Sequence, residues 1–256
     1  MLDMTIIQPY LDAHPWPRLF LTVSGAHLYG FASPDSDYDL RGCHIMSARS
    51  LLGLGMPRQT YDVLDRDAPI EMDIVTHDAG KYFNMLVSKN GYVLEQIFSP
   101  IIVEASPEFD ELKDIAARCI TRHHNHHFRS FAKKQWDDVS NAARGTIKGL
   151  LYTYRPLMAG IHLLRSGRIE SNITALNEHF RLPYIEDLIA AKVEGGERSL
   201  LSDQDMAFHA SEFDRLGVML DEAGASSSLP DAPVARDELE DLLIRLRMAW
   251  PHSGHA

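Results

Sequence analysis

Residues 23–45 read Val-Ser-Gly-Ala-His-Leu-Tyr-Gly-Phe-Ala-Ser-Pro-Asp-Ser-Asp-Tyr-Asp-Leu-Arg-Gly-Cys-His-Ile. Residues 19–23 (Leu-Phe-Leu-Thr-Val) lead into this stretch as a short apolar run, the pattern of a buried strand. Residues 24–37 are dense in Gly, Ser, Pro and Asp, which predicts tight turns around one turn of helix. Residues 38–45 read as a second strand. Alternate strand residues share a face, so Asp37 and Asp39 converge on one spot as the chain enters it.

Two adjacent carboxylates repel unless a cation lies between them. Mg2+, or Mn2+ in its place, prefers such oxygen ligands and leaves coordination sites for phosphate oxygens. Asp73, in Glu71-Met72-Asp73-Ile74-Val75, is a candidate third carboxylate, although Glu71 shares its face. Paired carboxylates can hold two ions about 3.5–4 Å apart, bracketing attacking and leaving oxygens. A third can accept the proton of an attacking hydroxyl or complete a metal shell. Gly25 lets backbone approach a triphosphate closely, and successive N–H groups there can receive its oxygens. Asp-x-Asp pairs also occur as simple turn caps. The glycine turn before the pair and the acid in a later apolar strand favour the chemical reading.

Outward from this segment, strands are expected at residues 61–64 and 70–76, joined as a hairpin through 65–69. From Asp78 the apolar spacing becomes helical. Helices are expected over 108–121, 124–139, 141–166, 172–179, 184–193, 203–223 and 236–248. Residues 224–233, Gly-Ala-Ser-Ser-Ser-Leu-Pro-Asp-Ala-Pro, read as a flexible linker. The fold class is therefore α+β. A mixed-sheet domain over 1–110 precedes a helical domain over 111–256 that contributes nucleotide and acceptor contacts.

The chain has 256 residues, 45% of them hydrophobic, enough for a substantial core. No apolar run approaches ~20 residues, so no membrane span is expected. The N-terminal residues lack a basic region, so no signal peptide is expected. Cys43 and Cys119 stand far apart without a CxxC pattern, which suits a reducing cytoplasm. The net charge of −11 argues against a general nucleic-acid coat. Residues 118–168 nevertheless carry ten Lys/Arg against two acids. That zone is read either as a local phosphate site or as a solvated helix face. The histidines of residues 123–127 lack a ligand set for zinc and are read as further donors to it. Lys148, Tyr152 and Arg155 share one helix face. They form either a phosphate clamp or a basic face with Tyr152 packed inward. Arg41 shares the strand face of Asp39, to orient a carboxylate, bind phosphate or make a salt bridge.

The segment resembles the DNA-polymerase-beta-like nucleotidyltransferases, whose pattern is Gly-Ser, a gap of about ten residues, Asp-x-Asp and a later acid. Residues 29–42, Tyr-Gly-Phe-Ala-Ser-Pro-Asp-Ser-Asp-Tyr-Asp-Leu-Arg-Gly, look most like the RNA-repair-associated (RlaP) branch, with its Ser-Asp-Tyr-Asp-x-Arg-Gly signature. The resemblance extends well over residues 20–100 and loosely over 145–195. It implies metal ligation by Asp37 and Asp39 with Asp73 as third carboxylate. It also implies triphosphate contacts from the Gly25 turn, Ser36 and Lys148. Ala26 replaces the expected serine, leaving Ser24 or backbone N–H groups to substitute. The implied reaction moves an NMP from an NTP, ATP first, to an acceptor hydroxyl such as an RNA 3′ end. Alternatives are transfer to a partner protein or a small molecule, or a non-catalytic nucleotide- or partner-binding domain.

Overall fold

Asp3 accepts a hydrogen bond from the Thr5 N–H and thereby starts α1 (Met4–Ala13). The computed structural model describes residues 2–55, 57–141, 145–195 and 203–249. Five of the six residues of β1 (Arg18–Val23) are buried. A single helical turn, α2 (Gly25–Tyr29), closes on Gly30 at φ +87°. Then come β2 (Tyr38–His44), the short α3 (Ala48–Leu51), β3 (Thr60–Asp65) and β4 (Met72–Asp78). Next are α4 (Ala79–Val87), α5 (Gly91–Ile97) and β5 (Ile102–Ala105). The remaining elements are helices: α6 (Glu108–Ala117), α7 (His124–Asn141), α8 (Ile147–Ser166), α9 (Ile173–Phe180), α10 (Pro183–Gly195), α11 (Asp203–Ser226) and α12 (Arg236–Ala249).

The strands form one mixed sheet in the order β3-β4-β2-β1-β5. β2 and β4 are parallel and the other pairs antiparallel. The parallel register sets Asp39 opposite Asp73 and Arg41 opposite Val75. Partners in a ladder point to the same side, so this register brings the two carboxylates together. Each sheet face is covered. Ile7 and Leu11 of α1 pack on Leu21, Val23, Leu40, Met72 and Ile74. On the other face, Phe20 and Cys43 join a larger cluster that continues through Tyr82, Leu94 and Leu157 to Leu246. Each large aliphatic side chain so buried stabilises the fold by roughly 1.5–3 kcal/mol.

β5 and α3 were not expected. β5 is four residues long and follows Pro100, too short to show a period, and only pairing with β1 defines it. The expected flexible linker is corrected. α11 runs on to Ser226, and the Ser227 hydroxyl donates to the Leu164 carbonyl at 2.7 Å. The Arg122 N–H donates to Pro230 O and the Val234 N–H to Arg118 O. Backbone satisfied in this way holds the segment against α8 and the start of α7. α12 then reaches the sheet. Arg247 donates to both oxygens of buried Asp78, at 2.7 and 2.5 Å, and to Met46 O at 2.6 Å.

Candidate active site

The end of β1, the α2 turn and the starts of β2 and β4 meet at one place. Gly25 has φ +62°, a conformation that favours glycine. A methyl group there would lie 1.8 Å from Asp39 Oδ2. The Ser24 N–H donates to the Asp39 carbonyl at 2.8 Å, which ties the turn to β2. Gly25 and Asp39 are therefore chosen together.

Arg41 organises the carboxylates. Its Nη2 donates to Asp39 Oδ1 at 2.8 Å and to Asp73 Oδ2 at 2.6 Å. Nη1 donates to the Asp73 and Leu40 carbonyls, and Nε to Tyr92 Oη at 2.9 Å. Of the three functions expected for Arg41, the structure displays the salt bridge, made to both Asp39 and Asp73 and so fixing their orientation. Asp37 receives no hydrogen bond or ion pair among the described residues. Burial, together with Asp37 and Asp73 nearby, raises the Asp39 pKa to about 6 although Arg41 and Lys148 oppose the shift. Asp39 thus keeps its proton to a higher pH than an ordinary carboxylate. Glu71 is exposed and lies near Arg66, so Asp73 is the third acid of this cluster.

The α8 residues separate. Lys148 lies close enough to lower the Asp39 and Asp35 pKa values, and its ammonium is 6.0 Å from the Tyr152 ring centre. Tyr152 packs edge-on against Tyr29 and Phe31, the inward alternative. Arg155 departs from the phosphate-clamp expectation. Its side chain is 1% exposed, bonds Glu95 at 2.6 Å and stacks 3.8 Å from the Tyr29 ring centre. The i+7 residue points into the core because α8 is covered by α7 and α11. It supports the α2 turn from beneath.

Ser24 is buried, with Oγ 3.4 Å from Tyr29 Oη, so its hydroxyl faces inward; Ala26 is likewise buried. Ser36 caps the 33–36 turn, accepting from the Ser33 N–H at 2.9 Å. Two residues escaped the reading of the sequence. Lys192 is buried and donates to Ser33 Oγ at 2.7 Å and Ser36 Oγ at 3.3 Å. Its signal was present: Ile185, Leu188 and Lys192 share one buried helical stripe. Tyr92, the Arg41 partner, had no such signal.

The basic zone of residues 118–168 is largely neutralised. Arg118 pairs with Glu238, Arg122 with Asp231, Arg129 with Asp221, Lys133 with Asp137 and Lys134 with Asp138. Arg144 lies outside the described residues.

This geometry belongs to a defined class. The chain is a member of the RNA repair pathway DNA polymerase beta family (RlaP), whose model matches residues 6–245. An uncharacterized protein of Methanocaldococcus jannaschii is 29% identical over 218 residues, covering 84% of this chain and 88% of its own. One of Bacillus subtilis is 24% identical over 208 residues, covering 77% and 79%. A crystal structure of a nucleotidyltransferase-like protein from Exiguobacterium sibiricum aligns with 87% of this chain and 73% of its own, at 15% identity and a TM-score of 0.33. That family is one of polymerase-beta-like nucleotidyltransferases. No described helix is long and apolar enough to cross a membrane.

Proposed function

We propose that this protein transfers a nucleoside monophosphate from an NTP, ATP first, to an acceptor hydroxyl, with an RNA 3′ end as the favoured acceptor class. The observation that carries the reading is the pairing of Asp39 and Asp73 through Arg41 beside the Gly25 turn, with Asp37 near enough to raise the Asp39 pKa. In the proposed step the acceptor oxygen bonds the α-phosphorus, the bond to the β-phosphate bridge breaks, and pyrophosphate leaves.

The residues suit a divalent cation. Asp37 has no donor among the described residues, and burial with two acids nearby raises the Asp39 pKa, which a cation there would offset. No three acid, histidine or cysteine side chains there form a complete metal set. A site for Mg2+ does not need one, because this ion keeps positions for water and phosphate oxygens. Asp37 and Asp39 would hold it, with Asp73 completing the shell or receiving the acceptor proton. When bound, Mg2+ or Mn2+ would supply charge neutralisation at the triphosphate. The Gly25 turn would admit phosphate oxygens to backbone N–H groups, and Lys148 would meet one from α8. Ser36 would act through the turn it caps.

The test incubates the purified protein with each α-labelled NTP, Mg2+ or Mn2+, and separate RNA, protein and small-molecule acceptors. Label on RNA 3′ ends is the expected result. Label only on protein or a small molecule would replace the acceptor class, and label on none would refute the transfer.

A further inference from the structure

A concavity lies between α4 and the start of α7. It has a volume of about 650 Å³ and is bordered by Lys81, Asn84, Lys89, Asn90, His123 and His126. Asp73, Val75 and His77 alternate onto one side of β4, and His77 stands four positions beyond Asp73, about 13 Å along the strand. The His77 ring bonds Thr60 Oγ1 at 3.0 Å, and Lys81 Nζ donates to the same hydroxyl at 2.6 Å. Between the two places the outer strand β3 presents exposed Leu64 and Asp62, with Asp62 paired to Arg58. The carboxylates and His77 therefore lie on one side of the sheet, and Lys81, bonded to the Thr60 hydroxyl that His77 contacts, borders the concavity.

The lining is cationic and ring-bearing. Neither Lys81 nor Lys89 has a carboxylate within ion-pair reach among the described residues, unlike the lysines of α7. Lys89 is held by a turn at φ +65°, unusual for a side chain other than glycine. His123 and His126 stand parallel, with ring centres 6.0 Å apart and an interplanar angle of 7°. Asn84 and Asn90 add amide groups at its wall. Lysines for phosphates, rings for stacking and amides for base edges are the elements of single-strand recognition.

We infer that this concavity between α4 and the start of α7 binds the phosphodiester backbone of a single-stranded RNA acceptor, upstream of the end presented to Asp39 and Asp73. The inference rests on the proposed transfer for its direction, but the binding itself needs neither NTP nor metal. It also gives a chain of net charge −11 a local means of engaging RNA: Lys81 and Lys89 supply cationic groups in one groove.

The experiment measures anisotropy of a 5′-labelled single-stranded 12-nucleotide RNA, without NTP or divalent metal, across a salt series. Wild-type protein is compared with Lys81→Gln/Lys89→Asn and with the control Lys133→Gln/Lys134→Gln, which removes two paired lysines. The first variant should bind at least about tenfold more weakly, and its salt slope should fall by about 1.4, two phosphate contacts at about 0.7 each. The control should bind like wild type. No wild-type binding, or equal binding by the Lys81/Lys89 variant, overturns the inference. So does displacement by polyglutamate as effective as by unlabelled RNA, which would assign the groove to an acidic peptide. RNA binding by wild type with no NMP transfer, or with transfer undiminished in the carboxylate variants, would fault the chemistry and leave this groove standing.

Discussion

Gly25 and Asp39 occupy one another's space: a side-chain carbon at position 25 would fall 1.8 Å from Asp39 Oδ2. The backbone at 25 also sits at φ +62°. Gly25→Ala should therefore displace the Asp39 carboxylate and add about 1–3 kcal/mol of backbone strain. A displacement of about 1 Å at a reacting centre costs on the order of 10²-fold in rate. Turnover with labelled ATP and a thermal melt check both effects, and turnover should fall more than stability.

Arg41 is predicted to act by holding Asp39 and Asp73 together rather than by touching substrate. Arg41→Gln should lower kcat roughly 10²-fold while KM for ATP changes little. Tyr92→Phe removes the hydroxyl that receives Arg41 Nε and should show a smaller loss of the same kind. A change confined to KM would instead make Arg41 a phosphate ligand.

Lys148 and Arg155 should separate in a binding assay. Lys148→Ala should weaken ATP binding with little loss of stability. Arg155→Met leaves Glu95 buried without its partner and should destabilise by about 3–5 kcal/mol. Adding Glu95→Met should restore much of that stability, with ATP affinity near wild type. Reduced ATP affinity in the stable double variant would return Arg155 to the site.

Asp39 gives a pH dependence with a defined sign. Its folded pKa of about 6 lies above the ordinary value of 3.8. The stability associated with its neutral form is fully present below about pH 4 and is lost as pH rises through 6. Metal-free Asp39→Asn should thus match wild type at pH 4 and exceed it by on the order of 2 kcal/mol at pH 7.5. Mg2+ should stabilise wild type and not the variant. Denaturant melts at the two pH values, with and without Mg2+, measure this.

Much of this was legible in residues 19–45, because strand periodicity and turn chemistry are local. Asp37, Asp39 and Gly25 could be placed from spacing alone, and the hairpin before Asp73 followed from alternation and turn residues. The bridging of Asp39 and Asp73 by Arg41 could not, because it depends on the parallel register of two strands 32 residues apart. Arg155 was misread for a related reason: helical spacing assigns a face, and only packing by α7 and α11 decides that the face is buried. The charge count over 118–168 could not choose between its two readings because the partners Asp221, Asp231 and Glu238 lie far along the chain. Lys192 was overlooked although its apolar stripe was visible.

The most direct measurement is transfer of label from α-labelled ATP to single-stranded RNA in the presence of Mg2+, by wild type and by Asp37→Asn and Asp39→Asn proteins shown to be folded. The account predicts label on the 3′ terminus with wild type and a loss of at least about 10³-fold in each variant, as expected when charge stabilisation at the reacting centre is removed. Transfer by either variant at the wild-type rate would contradict it.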